Sequence, residues 1–422
     1  MSSTAGPRTC TPVSDGSTIP HVARFSVDFL GCKVSHVDAL EIREQLLADG
    51  HTAAGAGERA DVAVISSCCV TNEALAKSRK AAARAARTHG RVYVTGCGAN
   101  LAGGGLAGLP ENVIVVDRRA EETAAFVAGD VGAIGCVNGA AGLDRVRAFV
   151  KIQDGCSFSC AFCVIPLVRG ASRSRAAAAV LHEVRRRVEQ GHREVVLTGI
   201  NLGCFRDRAA GFDLPRLVRE VGATPGLARL RLSSIEINHV NDALIAALRE
   251  TPTVARHLHV PLQSGDDGVL RAMRRRYTTT MYLKKLQPLT ADFNLTSDVI
   301  VGFPTEDDAA FERTIATVER AGLSRVHVFP YSPRPGTVTA DDDRVQPAVK
   351  KERGARLRAL SDVLERRRWQ AKLGTRDTVL VDRPGRGYGD DYTPFLVEAP
   401  VGDLVEVRAH AIGAEGIRAV AA

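Results

Sequence analysis

Short apolar runs alternate with stretches of helical period along most of this chain. Between Arg24 and Val116 the runs RFSVDFL, DVAVIS, RVYVTG and NVIVV read as strands, and 37–48 and 74–87 read as helices. A βαβα order predicts a parallel, Rossmann-like sheet with helices on its faces. The stretch 127–143, rich in Gly and Ala, reads as a connection. From Arg147 the alternation restarts at larger scale, with strand-like runs at 148–153, 194–199, 229–234, 257–262, 297–302 and 325–330. Helical segments such as 181–190, 241–249 and 306–321 separate them. Six strand–helix units predict a partial (β/α)6 barrel of TIM type, with its chemistry on the loops after the strands; a doubly wound open sheet is the alternative. Beyond Gly374 the runs TVLVD, PFLVEA and DLVEVRAHAI, separated by Gly and Pro turns, predict a small antiparallel β-barrel or sandwich. The expected division is therefore a tail (1–22), a first α/β domain (23–135), a linker (136–147), a barrel domain (148–340), a basic helix (341–372) and a β domain (373–422).

The chain has 422 residues, a length that suits about three domains. With 45% hydrophobic and 25% charged residues it has the balance of a globular protein, which excludes wholesale disorder. No apolar run is long enough for a transmembrane helix. The first residues lack the apolar core of a secretory signal, so a cytoplasmic location is expected. The net charge of +8 permits nucleic acid without requiring it. It is concentrated in 344–372, where ten basic residues face three acidic ones and Trp369 lies near the end. A solvated face and a phosphate-facing one both fit that helix.

All ten cysteines fall at or before Cys204. In a long cytosolic chain such clustering points to metal or redox chemistry rather than to disulfides. Cys156, Cys160 and Cys163 form C-x3-C-x2-C directly after a predicted strand. Three thiolates in so short a loop can wrap one face of a [4Fe–4S] cluster and leave one iron open. A structural zinc site would want a fourth protein ligand, which no nearby Cys or His supplies. Cys32, Cys68 and Cys97 each follow a predicted strand of the first domain. Loops after adjacent parallel strands converge at one sheet edge, so these three thiols can meet.

C-x3-C-x2-C with Phe162 before its last cysteine resembles the signature of radical S-adenosylmethionine enzymes. The two triads together resemble the methylthiotransferase family, through LGCKV (30–34), CCVTNEA (68–74), VTGC (94–97), KIQDGCSFSCAFCVIP, RGASRSR, VLTGIN, RLSSIE, HLHVPLQSGDDGVLRAMRRRY, DVIVGFPTE and HVFPYSPRPGT. GCKV, VTNEA and HVFPYSPRPGT are most similar to the branch acting on threonylcarbamoyladenosine in tRNA. The branches acting on isopentenyl-adenosine and on a ribosomal-protein aspartate usually carry GCQMN and GCPKN instead. This chain departs from the pattern at Ser66-Ser67, where the family usually has Asn-Thr, and at Ser35, usually Asn. Cys69 beside Cys68 leaves the ligand open by spacing alone; the match of C-x-V-T-N puts Cys68 in register. GYGDDY (387–392) resembles part of a TRAM domain.

The resemblance implies two [4Fe–4S] clusters, one on Cys32, Cys68 and Cys97 that donates sulfur and one on Cys156, Cys160 and Cys163 that generates a radical. It implies two uses of S-adenosylmethionine, one to methylate cluster sulfur and one cleaved to a 5′-deoxyadenosyl radical. The product is 2-methylthio-N6-threonylcarbamoyladenosine beside the anticodon. No side-chain base removes the adenine C2 proton, whereas a carbon radical attacks that position. The implied partners are the tRNA anticodon stem-loop, an electron donor such as flavodoxin or ferredoxin, and a sulfur source, with no membrane and a monomeric chain. By strand-end position, Thr198, Gly199, Asn201, Ser234, Glu236, Gln263 and Asp298 are the expected S-adenosylmethionine contacts, with Gly302 nearby and Glu236 the preferred polar partner. Methylthiolation of isopentenyl-adenosine or a ribosomal-protein aspartate, and a non-catalytic iron–sulfur RNA-binding protein, are the competing readings.

Other candidates take plainer readings. His257 and His259 alternate on one strand and read as barrel-interior histidines rather than metal ligands. Cys10, Cys136 and Cys204 have no partner at ligand spacing. The triples Arg185–Arg187 and Arg274–Arg276 read equally as solvated helix faces and as RNA contacts.

Overall fold

The computed structural model describes residues 22–55, 58–102, 105–117, 120–132 and 146–422. The expected tail and most of the expected linker, with Cys10 and Cys136, lie outside the described residues. The chain divides into two compact units, one of Met1–Gly142 with Leu167–Arg169 and one of Leu143–Pro166 with Gly170–Ala422.

The first unit is a five-stranded sheet, ordered Thr52–Ala53, Arg24–Phe29, Val62–Ser67, Arg91–Gly96, Val113–Val115. Every pairing in it is parallel. Val62–Ser67 is buried throughout, as a central parallel strand covered on both faces must be. Val62 and Val64 pack with Phe25, Tyr93, Ile42 and Leu46, while Ala63 and Ile65 pack on the other side with Val94, Ala82 and Leu106. The helix Asn72–Ala85 starts where Thr71 accepts a hydrogen bond from the Ala74 N–H. One expectation is corrected here. Helix Ala120–Val131 runs into the stretch read as a connection, because Val127 and Ala128 supply an apolar face to the core beside Ile42 and Leu46.

In the second unit the six expected strands appear as Arg147–Asp154, Glu194–Gly199, Arg229–Leu232, His257–His259, Asn294–Val301 and Leu323–Pro330. The first three pair in parallel, as do the last three, and Ile235 N–H to His259 C=O at 2.9 Å joins the two sets. This is the partial barrel. Alternation along each strand sends Val150, Ile152, Val195, Leu197, Leu230, Leu258 and Val299 outward onto the helices, where they form the main core. The opposite positions are polar: Arg147, Glu194, Arg229, Arg231, His257, His259, Thr296 and Asp298 face inward.

The final β domain is a closed five-stranded barrel. It is antiparallel except that Pro394–Leu396 and Ile417–Ala421 pair in parallel, a departure from the expected all-antiparallel form that closes the ring. Its core holds Val379, Val381, Phe395, Val407 and Ile417, with Trp369 from the end of the helix Pro347–Lys372. The loop 389–392 of GYGDDY carries the inward charges of the (β/α) barrel. Glu194, fully buried, pairs with Arg147 at 2.8 Å, Arg231 at 2.8 Å and Arg229 at 3.2 Å. Arg231 also donates to the carbonyls of Gly389 and Asp390, and Arg229 to that of Tyr388. Tyr392, at a left-handed φ of 69°, stacks on His257 and Tyr388 and lies under the Arg231 guanidinium. Asp391 accepts from Arg368 and Lys372 of the long helix. That helix therefore spends part of its basic charge inside the fold, Lys350 and Arg353 included, while Arg358, Arg366 and Arg367 stay exposed.

Candidate active site

In the first unit, three adjacent strands of the sheet end at Phe29, Ser67 and Gly96, and Cys32, Cys68 and Cys97 follow them. Cys32 sits before the helix Lys33–Ala48 as its N-cap. Gly31 lets the first loop close in: at a φ of 131°, a Cβ there would stand 3.2 Å from Cys68 Cβ and 3.4 Å from Cys68 Sγ. Gly98 plays a similar part, since a Cβ would come within 2.7 Å of Ser67 Oγ. Ser67 in turn donates to the Thr95 carbonyl and accepts from Ala99 N–H, tying the second loop to the third. Burial pushes the Cys97 thiol up, against the pull of the Arg169 guanidinium and with further upward pressure from Cys32. The Cys68 thiol is also raised by burial, with Cys32 adding to it. Cys32 thus acts on both of the other two thiols. Cys69 is fully buried instead, its Sγ 3.2 Å from the Cys97 carbonyl.

Arg169 was not singled out from the sequence beyond its place in RGASRSR. It belongs to the first unit, where its Nε donates to Cys97 Sγ at 3.0 Å and its guanidinium pairs with Asp38 at 2.8 Å. A buried guanidinium on a cysteine sulfur stabilises the thiolate, the form that ligates iron.

In the second unit Cys156, Cys160 and Cys163 lie in the loop after Arg147–Asp154. Gly155 makes its turn at a φ of 68°, and a Cβ there would meet the Ala171 carbonyl oxygen at 2.2 Å. Cys156 N–H donates to the Gly170 carbonyl and Ala161 N–H to that of Met273, pinning both ends of the loop. Phe162 packs edge-on against Phe303 beneath it. Burial raises Cys156 and pushes Cys163 up to about 12, with the neighbouring cysteines adding to both shifts. Phe158 N–H donates to Cys156 Sγ at 3.4 Å, and Arg275 to Cys160 Sγ at 3.2 Å.

Arg275 corrects the reading of the 274–276 triple. The helix Asp267–Ala272 ends before it, so the three arginines share no helix face. Arg275 turns inward to Cys160, Glu236 at 2.8 Å and Tyr277, while Arg276 lies over Phe158. Of the other expected positions, Asn201 N–H is held by the Gln153 side chain, and Asn201 Nδ2 stands 4.0 Å from Cys156 Sγ. Gln263 takes a φ of 65°, and Asp298 is engaged by His259 at 3.2 Å. Gly199 lies against Gln153, where an added Cβ would come within 3.0 Å. Ser234 is half-buried and Gly302 packs on the Lys350 stem. Among the described residues, Thr198 Oγ1, Asn201 Oδ1 and Ser233 Oγ are buried polar atoms with no hydrogen-bond partner. Cys204 does have a neighbour, His239 Nε2 at 3.4 Å.

Comparisons with known proteins agree with this layout. Residues 150–318 match the Radical SAM superfamily, and residues 24–117 match the family described as Uncharacterized protein family UPF0004. A solved structure titled as the radical S-adenosylmethionine methyltransferase TsrM from Kitasatospora setae shares the fold, with a TM-score of 0.56 at 12% identity over 75% of each chain. The barrel and its cysteine loop thus define a radical S-adenosylmethionine protein. The threonylcarbamoyladenosine tRNA methylthiotransferase MtaB of Bacillus subtilis is 36% identical, over 81% of both chains. The Thermotoga maritima protein of the same name is 32% identical, over 93% of this chain and 95% of its own. A tRNA-2-methylthio-N(6)-dimethylallyladenosine synthase from Sphingopyxis alaskensis is 32% identical, over 94% and 98%. The chain belongs to the radical S-adenosylmethionine methylthiotransferase family of tRNA-modifying enzymes.

That family implies S-adenosylmethionine and a [4Fe–4S] cluster, and the second unit fits both. Three thiols in mutual electrostatic contact receive N–H donors from Phe158 and Arg275, and orphaned polar atoms line the adjacent strand ends. No described helix is long and apolar enough to cross a membrane.

Proposed function

We propose that this chain attaches a methylthio group to C2 of N6-threonylcarbamoyladenosine beside the tRNA anticodon, in the cytoplasm. The reading is supported by the pair of thiol triads on strand-end loops, and its nucleoside by the 36% identity to the Bacillus subtilis threonylcarbamoyladenosine enzyme. Clusters on the two triads, with S-adenosylmethionine at the second, supply the sulfur and the one-electron chemistry.

The residues of this chain do the binding and the shielding. Glu236 and Arg275, 2.8 Å apart beside Cys160, present opposite charges suited to the ammonium and carboxylate of a bound amino-acid group. Thr198, Asn201 and Ser233 offer buried polar atoms on the same side, and binding there would satisfy them. Asp298 is left out of this set because His259 engages its carboxylate. Arg169 would hold Cys97 as a thiolate for the first triad. Arg358, Arg366 and Arg367 are the exposed guanidiniums of the long helix available to RNA phosphates. A flavodoxin- or ferredoxin-type donor and a sulfur source complete the turnover.

The test is mass spectrometry of tRNA nucleosides from a strain lacking the gene. Loss of 2-methylthio-N6-threonylcarbamoyladenosine, restored by the gene but not by a Cys160→Ala copy, is expected. Persistence of that nucleoside at normal levels, with the isopentenyl analogue lost instead, overturns the substrate assignment.

A further inference from the structure

The inward wall of the (β/α) barrel carries a group of side chains that neither cysteine triad uses. His259, Asp298 and His327 stand on the strands His257–His259, Asn294–Val301 and Leu323–Pro330, three neighbours in one parallel sheet. Asp298 is in register with His327, and His259 with Thr296, two residues before Asp298 on the same face. One ligand atom from each of His259, Asp298 and His327 lies within 4.8 Å of the others. His259 Nε2 is 3.2 Å from Asp298 Oδ2, and the two histidine rings are 5.7 Å apart.

The far side of His259 is already arranged as metal-binding histidines require. Its Nδ1 lies 2.9 Å from Thr296 Oγ1, and that hydroxyl lies 3.0 Å from His257 Nε2. His257 is held in turn by stacking on Tyr392. In the metal-free protein Nε2–H donates to Asp298; on metal binding that proton leaves, Nδ1–H donates to Thr296 and the Thr296 hydroxyl to His257, which turns the Nε2 lone pair to the ion. An oxygen partner behind a ligating imidazole orients the ring and raises its basicity.

We infer that His259, Asp298 and His327 form a zinc-class divalent metal site, separate from both thiol triads. Two imidazoles and one carboxylate are a borderline-soft donor set, matched to zinc rather than to magnesium or calcium. Bonds of about 2.1 Å in a tetrahedral site put ligand atoms roughly 3.4 Å apart. His259 and Asp298 already meet that spacing. His327 is on the last strand of its sheet, and its ligand atom already lies within 4.8 Å of the other two, so a small side-chain adjustment brings in the third ligand. The ion would tie together all three strands of that sheet and keep a fourth position open. His257 is not a ligand in this arrangement; it anchors Thr296. This site would stand whichever nucleoside the enzyme modifies.

The experiment uses the cluster-loaded, full-length protein, given zinc chloride at one to two equivalents and then desalted anaerobically. Expected are one zinc per chain, a zinc-edge absorption spectrum fitted by nitrogen and oxygen neighbours alone, and a raised melting temperature. His327→Ala alters an exposed side chain, so folding is not at stake; it should weaken zinc binding at least tenfold with iron and sulfide unchanged. Asp298→Asn should do the same, and Thr296→Val should weaken binding by about tenfold or more through loss of the support behind His259. Failure to retain zinc, sulfur neighbours in the zinc spectrum, or equal retention by wild type and His327→Ala would each overturn the assignment.

Discussion

Replacing Glu194 by Gln tests how the (β/α) barrel and the C-terminal β-barrel are held together. The carboxylate is fully buried and receives three guanidiniums, from Arg147, Arg229 and Arg231. Gln keeps the shape and one acceptor oxygen but leaves three cations without their central counter-charge. Removing one partner of a buried ion pair costs about 3–5 kcal/mol, most of it the cost of an uncompensated buried charge. For a unit of this size about 2–4 °C accompany each kcal/mol, so the melting temperature should fall by roughly 10 °C. Calorimetry of the anaerobic holoenzyme at pH 7 reads the shift. Adding Arg231→Met should recover part of the loss, because one unpaired cation is then gone. The pH dependence is a second readout. Burial alone would raise the Glu194 carboxyl, but Arg231, Arg147 and Arg229 overcome it and hold it below the usual carboxylate range. Its contribution is therefore complete above the unfolded value of about 4.3 and disappears as pH falls through the lower folded value. The stability gap between wild type and Glu194→Gln should narrow below about pH 4. A shift under about 2 °C at pH 7, or no coupling to Arg231→Met, would refute the account.

Three further outcomes follow from the same geometry. Gly155→Ala places a Cβ against the Ala171 and Gly170 carbonyl oxygens at a left-handed φ, so the cysteine loop must shift and iron and sulfide per chain should fall; with clusters on both triads as proposed, the fall is from about eight to about four of each. Arg169→Met removes the ion pair to Asp38 and the N–H donor from Cys97, so the protein should melt at a lower temperature by calorimetry and reconstitute iron more slowly, with Arg169→Lys milder on both counts. Asp391 is held far below the usual carboxylate range despite burial, by Lys372 and Arg368; Asp391→Asn should lower the melting temperature at pH 7, and the gap to wild type should begin to narrow only below about pH 4 and still be substantial at pH 3.

Spacing made the grouping of the cysteines legible. C-x3-C-x2-C lies within eight residues, and local chain geometry alone keeps those thiols together. Cys32, Cys68 and Cys97 were harder, yet each follows an apolar run, and parallel strands bring their ends to one edge. The six barrel strands and most helices were visible for the same reason: period and apolar content report burial. Arg275 was not visible, because three consecutive arginines look alike until the end of the helix at Ala272 turns the middle one inward. GYGDDY likewise reads as part of a surface domain, whereas its loop covers the inward charges of the neighbouring barrel.

The sequence by itself determined the cysteine sets, the order of strands and helices, and the family. These depend on short-range spacing or on alternation, both of which survive in one dimension. Tertiary structure decided which charges are buried. Glu194 and Arg231 look like ordinary polar residues in the chain, and only strand pairing shows that alternation points them inward, while Arg275 is turned inward where the helix ends at Ala272. There the low dielectric turns each unpaired charge into a large cost, and so fixes which partners they must keep.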